Sequence, residues 1–100
     1  MSKIIIAYEP VWAISTTSGA EIASPDKIAD VIQFLRRTLE DTYGAEIAEQ
    51  IPLLYGGSVN PSNAGAYLTV PGVNGLLIGG ASLIADQFID IVETAKKVKS

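Results

Sequence analysis

The sequence predicts an α/β fold: three β/α units in the order β-α-β-α-β-α, spread over residues 1–100 as a single domain around a three-stranded parallel sheet. Two observations carry that reading. Short continuous apolar runs alternate with segments of helical period, and strands that read as unbroken apolar runs belong to parallel sheets buried on both faces. The last two runs, moreover, each pass into a helical segment through a Gly-Gly pair.

The first strand is predicted over Lys3 to Tyr8, where Ile4, Ile5, Ile6 and Ala7 run uninterrupted. Glu9 ends it and Pro10 breaks it. A helix is announced at Ser24-Pro25, an N-cap residue followed by proline at the first helical position. Ile28, Val31, Ile32, Leu35 and Leu39 recur at three- and four-residue spacing and form a stripe that should lie on the sheet. Gly44 closes the helix as its C-terminal cap. Ile51-Pro52-Leu53-Leu54-Tyr55 is the second strand, proline being tolerated at a strand's start. After Gly56-Gly57-Ser58-Val59, the pair Asn60-Pro61 opens a short helix toward Leu68. Gly75-Leu76-Leu77-Ile78 is the third strand. Gly79-Gly80-Ala81-Ser82 then leads into a last helix with Phe88, Ile91, Val92 and Ala95 on one face, and Lys96, Lys97 and Lys99 suit its negative C-terminal end.

Composition excludes several function classes. Apolar residues make up 48% of the chain, enough for a core, although a chain this short buries a smaller fraction of its surface than a large one. Seven basic residues against eleven acidic give a net charge of -4, which argues against a nucleic-acid surface or an anionic membrane partner. Any phosphate ligand must therefore be held locally. Cysteine is absent, so a disulfide framework and a thiolate metal site are both excluded. The start Met1-Ser2-Lys3 reaches the polar Tyr8-Glu9-Pro10 too soon for a signal sequence, and Met1-Ser2 directly before the strand reads as a deliberate or true start. No apolar run approaches membrane-spanning length. The expectation is a cytoplasmic protein with no metal and no cofactor.

Each Gly-Gly turn places paired glycines and a small hydroxyl where a parallel strand hands over to a helix. Glycine lets the main chain approach a ligand closely, and the next helix adds a field that favours an anion. A single Gly-Gly is ordinarily only a tight turn. Two at successive strand ends favour a phosphate site.

Three segments occur together in order: Ala7-Tyr8-Glu9-Pro10-Val11-Trp12-Ala13-Ile14, Leu54-Tyr55-Gly56-Gly57-Ser58-Val59-Asn60-Pro61, and Ile78-Gly79-Gly80-Ala81-Ser82-Leu83. On these the chain resembles the triosephosphate isomerase family, specifically the C-terminal part holding strands six to eight of its barrel with their helices. The resemblance implies a partial TIM barrel, a half-barrel-like domain, since a full one needs about 250 residues. It also implies glycolytic chemistry, the interconversion of dihydroxyacetone phosphate and glyceraldehyde 3-phosphate. Glu9 would match the carboxylate that shuttles a proton between the two carbons of the enediol, a chemistry for which this enzyme is the standing example. Beneath an apolar lid such a carboxylate is desolvated and made more basic. Without the flanking motif, Glu9 reads as an exposed acid ending a strand.

Pro10, Val11 and Trp12 would match the lid hinge, and Ala13 and Ile14 the tip that excludes water, again a loop for which this family supplies the general example. Tyr55 would match the tyrosine that bonds the closed lid, or serve as a strand-end aromatic packed against it. Ser58, Gly79 and Gly80 would present backbone N–H groups to phosphate, with Ser15 standing where a lid glycine is usual; TIM barrels commonly hold phosphate after strands seven and eight. Past Ile14 the family usually continues Gly-Thr-Gly-Lys, whereas this chain has Ser15-Thr16-Thr17-Ser18 and extra residues before Ser24. Losing those glycines restricts the backbone at the tip.

The family polarises its substrate with a lysine near the first strand and a histidine after the fourth. These 100 residues contain no histidine, and Lys3 and Lys27 lie away from the expected site. One electrostatic donor is worth about 10² to 10³ in rate, so the chain by itself is expected to be inactive. Its outer strands would have unpaired edges and its inner face no cover, which predicts a homo-oligomer, a dimer or higher. Three readings follow: a noncatalytic, self-associating half-barrel that binds phosphate or a triose phosphate, one chain of a split isomerase completed by a partner, and a structural fragment with no ligand.

Overall fold

The computed structural model describes residues 4–10 and 24–99. A parallel sheet of three strands in the order β1-β2-β3 is formed by β1 (Ile6–Tyr8), β2 (Leu53–Gly57) and β3 (Gly75–Ile78). Between them run α1 (Pro25–Tyr43), α2 (Ala45–Gln50) and α3 (Ala64–Leu68). A single 3-10 turn (Gly80–Leu83) and α4 (Ala85–Lys99) follow β3.

α1 has the bounds its caps predict. The Ser24 hydroxyl accepts from the Lys27 amide at 3.4 Å, Pro25 opens the helix, and the Gly44 N–H closes it on the Glu40 carbonyl at 2.8 Å. Of the predicted stripe, Ile28 and Ile32 are fully buried and Leu35 and Leu39 pack against the core. α2 is an addition: the chain re-enters a helix directly after Gly44 and stops at Ile51, whose N–H bonds back to the Ala48 carbonyl.

That added helix moves the strands. Ile51 caps α2 and Pro52 has no N–H, so β2 begins at Leu53, two residues later than predicted, and runs through Gly56 and Gly57. Both glycines pair with β3, Gly56 opposite Leu77 and Gly57 opposite Ile78, so the first Gly-Gly pair lies inside the strand. β1 is shorter than predicted for the same reason. Its ladder starts where the Ile6 amide meets the Pro52 carbonyl at 3.0 Å, and the chain before Pro52 has turned away, leaving Ile4 and Ile5 exposed and unladdered. β3 falls on its predicted residues.

α3 is shorter than the Asn60-Pro61 signal implies. Residues 61–63 form a turn, and helix begins only at Ala64. α4 buries Ile91, but Phe88 and Val92 of the predicted face remain 39% and 47% exposed. The reason is position: α4 packs on α3 and the 3-10 turn at the β3 side of a narrow sheet, so only part of its apolar stripe meets protein.

The sheet is covered on one face. Ile6, Tyr8, Leu53, Tyr55, Leu76 and Ile78 alternate toward the helices and join Ile28, Ile32, Tyr67 and Ile91 in one core. The alternate residues Ile5, Ala7, Leu54 and Leu77 face the other way, and Ile5 and Leu77 are 65% and 43% exposed. Among the described residues the apolar runs are thus buried mainly on the helix-covered face, and the inner face, expected to lack cover, is largely bare. Among the described residues the barrel is not closed, and β1 and β3 are both edges.

Candidate functional site at the carboxyl ends of the strands

Parallel pairing brings the ends of all three strands to one rim, because Tyr8 lies opposite Tyr55 and Gly57 opposite Ile78. Glu9 follows β1 at that rim, Ser58 follows β2, and Gly79 and Gly80 follow β3. Among the described residues the rim is open, with no enclosed pocket.

Strand alternation turns the exposed Glu9 side chain to the bare face, across the end of β2. Its Cγ and Oε1 lie only 2.9 and 3.0 Å from where a Cβ on Gly56 would stand. Glycine at 56 is therefore what leaves room for the carboxylate. Sequence reasoning assigned Gly56 to a turn and missed this seat; the usable signal was parity, since Gly56 sits in the strand neighbouring the one that Glu9 ends.

Ser58 occupies a tight turn in which the Val59 N–H bonds to the Gly57 carbonyl at 2.9 Å. Asn63 reaches back to it, its Nδ2 donating to the Ser58 carbonyl at 2.7 Å. The Asn63 Oδ1 accepts from the Asn60 N–H at 2.8 Å, and the Asn60 Oδ1 accepts from the Asn63 N–H at 3.0 Å. Asn63 was not among the residues sequence reasoning singled out, although Asn60 and Asn63 have the three-residue spacing of a reciprocal cap. Gly79 and Gly80 are exposed, and the Gly79 carbonyl accepts from the Ser82 N–H at 2.9 Å. Neither Gly-Gly pair opens directly into a long α-helix. The helical field expected behind each turn comes down to the five-residue α3, which begins six positions after Ser58, and the 3-10 turn.

Tyr55 is fully buried on the helix-covered face, between Tyr8 and Tyr67 at ring-centroid separations of 6.4 and 4.5 Å. Among the described residues its hydroxyl has no hydrogen-bond partner. Burial pushes the Tyr55 hydroxyl pKa well up, with neighbouring Tyr67 adding to the rise, and burial raises that of Tyr67 too. Pro10 is buried beside the rim. Val11, Trp12, Ala13, Ile14 and Ser15, assigned above to the lid and phosphate grip, lie outside the described residues.

Comparison with known proteins fixes the family. Residues 1–95 match the family model described as triosephosphate isomerase. The chain belongs to the triosephosphate isomerase family. It is 52% identical over 91 residues to the triosephosphate isomerase of Flavobacterium johnsoniae, an alignment covering 91% of this chain and 35% of that protein. The triosephosphate isomerase of Chloroherpeton thalassium is 43% identical over 96 residues, covering 96% of this chain and 37% of the relative. The crystal structure of triosephosphate isomerase from Bartonella henselae superposes with a TM-score of 0.78 at 45% identity, over 93% of this chain and 35% of that one. The chain thus spans about a third of the relatives it matches, corresponding to the C-terminal part of triosephosphate isomerase, strands six to eight of a TIM barrel. Among the described residues no helix is long and apolar enough to cross a membrane.

Proposed function

We propose that this chain is the base-bearing and phosphate-gripping part of a cytoplasmic triosephosphate isomerase, which in its complete form interconverts dihydroxyacetone phosphate and glyceraldehyde 3-phosphate in glycolysis. Glu9 moves the proton between the two substrate carbons. Ser58, Gly79 and Gly80 hold the phosphate through backbone N–H groups, joined by Ser15. Pro10, Val11, Trp12, Ala13 and Ile14 close over the site, and the Tyr55 hydroxyl takes the lid as its partner. No cofactor enters the reaction. The observation that carries the reading is the Glu9 side chain seated over Gly56, on the rim shared by Ser58, Gly79 and Gly80.

The 100-residue chain on its own is catalytically silent, because it contains no histidine to polarise the substrate carbonyl. It still binds phosphate and associates with copies of itself. Isothermal titration with inorganic phosphate tests the ligand part: heat that saturates and is lost in Ser58→Pro or Gly80→Pro supports it, and no wild-type heat rejects it. A second reading, one chain of a split isomerase, is favoured by the two open sheet edges, which a complementary chain bearing the lysine and histidine would pair. Turnover on mixing with such a chain supports that reading, and inert mixtures reject it.

A further inference from the structure

We propose that Asn63 is a positioning residue for the phosphate turn after β2, fixing the direction in which Ser58 presents its backbone to the rim. The inference rests on the phosphate reading above and names the side chain that makes it work. The Ser58–Val59 peptide is tied at both ends. Its carbonyl accepts from Asn63 Nδ2 at 2.7 Å, and its N–H donates to the Gly57 carbonyl at 2.9 Å. A peptide plane held at both ends cannot rotate, and its Val59 N–H in turn holds the carbonyl of the preceding Gly57–Ser58 peptide, the plane that carries the Ser58 N–H.

Asn63 has little freedom of its own. Its Oδ1 takes the Asn60 N–H at 2.8 Å, its backbone N–H goes to Asn60 Oδ1 at 3.0 Å, and its carbonyl accepts from the Tyr67 amide at 3.2 Å at the start of α3. The side-chain amide therefore has its donor and its acceptor committed to two backbone groups three and five residues back. Val59, only 5% exposed, anchors the turn from below in the core. A phosphate held by backbone N–H groups needs them pre-aimed, because a turn free to rotate must be ordered at each binding event.

The test compares the wild-type chain with Asn63→Ala and Asn60→Ala, reading 15N–1H amide resonances without ligand and then affinity for inorganic phosphate. Asn60→Ala removes an acceptor used by Ser62 and Asn63 but leaves the Asn63–Ser58 bond in place. Asn63→Ala is expected to shift and broaden the Ser58 and Val59 amides and to weaken phosphate by about fivefold to tenfold. Asn60→Ala lowers the melting temperature with phosphate affinity within about twofold, since the hydrogen bond of interest survives. Should Asn63→Ala not fold, Asn63→Asp keeps the acceptor toward Asn60 and sets a repelling oxygen against the Ser58 carbonyl, and the same amide shifts are expected. Unchanged Ser58 and Val59 amides, or equal loss of phosphate in the two alanine variants, would overturn the proposal. Absence of phosphate binding by wild type would overturn the phosphate reading instead, and the ligand-free amides would still decide the role of Asn63.

Discussion

Glu9 and Gly56 form a pair in which one residue's chemistry depends on the other's lack of a side chain. A methyl group at 56 would stand 2.9 Å from Glu9 Cγ and 3.3 Å from Leu77 Cβ, and of the two the Glu9 side chain is the freer to give way. Gly56→Ala is therefore expected to displace the carboxylate while leaving the fold nearly intact. In an isomerase reconstituted with a chain supplying lysine and histidine, kcat should fall by about 10²-fold, the effect of roughly an ångström of misplacement. Unchanged kcat would mean that Glu9 is not the base. Tyr55 and Tyr67 make a second prediction. Both hydroxyls have folded-state pKa values above the ordinary 10.0, so the folded chain keeps protons that the unfolded chain releases. The stability they contribute is full below about pH 10 and is lost as pH rises beyond it. Urea midpoints should stay level up to that pH and then drop, and Tyr55→Phe should flatten the drop. A wild-type midpoint that stays level through pH 11 would contradict the burial of this pair.

Arg36 ties several elements together from the middle of α1. Its guanidinium donates to the Ala48 and Ile51 carbonyls at 2.7 Å each, and to the Gly72 carbonyl and Asn74 Oδ1 at 3.1 and 3.0 Å. Asn74 Oδ1 also accepts from the Leu53 N–H at 2.8 Å, which links the same cluster to the start of β2. Arg36→Leu should cost about 3 kcal/mol, since it takes the guanidinium donor from the Ile51 carbonyl and one of two donors from that of Ala48. Equilibrium urea unfolding measures it, and a loss below about 1 kcal/mol would show that water replaces the guanidinium readily. Gly44 has φ 90 and ψ 155, a conformation nearly confined to glycine, so Gly44→Ala should cost about 1–3 kcal/mol by the same assay. The ends of α1 and the third strand could be read from local chemistry: Ser24-Pro25, Gly44 and an unbroken apolar run between glycines. α2 could not, because Ala45-Glu46-Ile47-Ala48 is too short to show a period, and missing it displaced the predicted start of β2. At the site, Glu9 and the glycines were legible as motifs. The seat at Gly56 and the reach of Asn63 were not, because both depend on which residues lie opposite one another once strand and turn have formed.

The whole molecule leaves apolar side chains exposed on the bare face of the sheet as well as on its helices. Ile5 and Leu77 are 65% and 43% exposed on the bare face of the sheet, and among the described residues β1 and β3 are its unpaired edges. Leu83, at 88% exposure, and Ile84, at 50%, are further exposed apolar side chains after β3. Exposed apolar side chains next to open edges are what proteins ordinarily cover. The acidic excess, a net charge of -4, is too small to keep copies apart at physiological salt, where repulsion between surface charges is screened within about 8 Å. Sedimentation equilibrium at micromolar concentration should therefore return a multiple of the chain mass that rises with concentration. Leu77→Lys together with Ile5→Lys should shift the particle to monomer while preserving the helical circular dichroism, because neither side chain belongs to the core of the covered face. If the double variant stays associated, the bare sheet face is not the contact, and α4 with its exposed Phe88 and Val92 becomes the surface to mutate next. A wild-type monomer across that concentration range would contradict the argument altogether, since it would mean that an open three-stranded sheet tolerates water on its inner face.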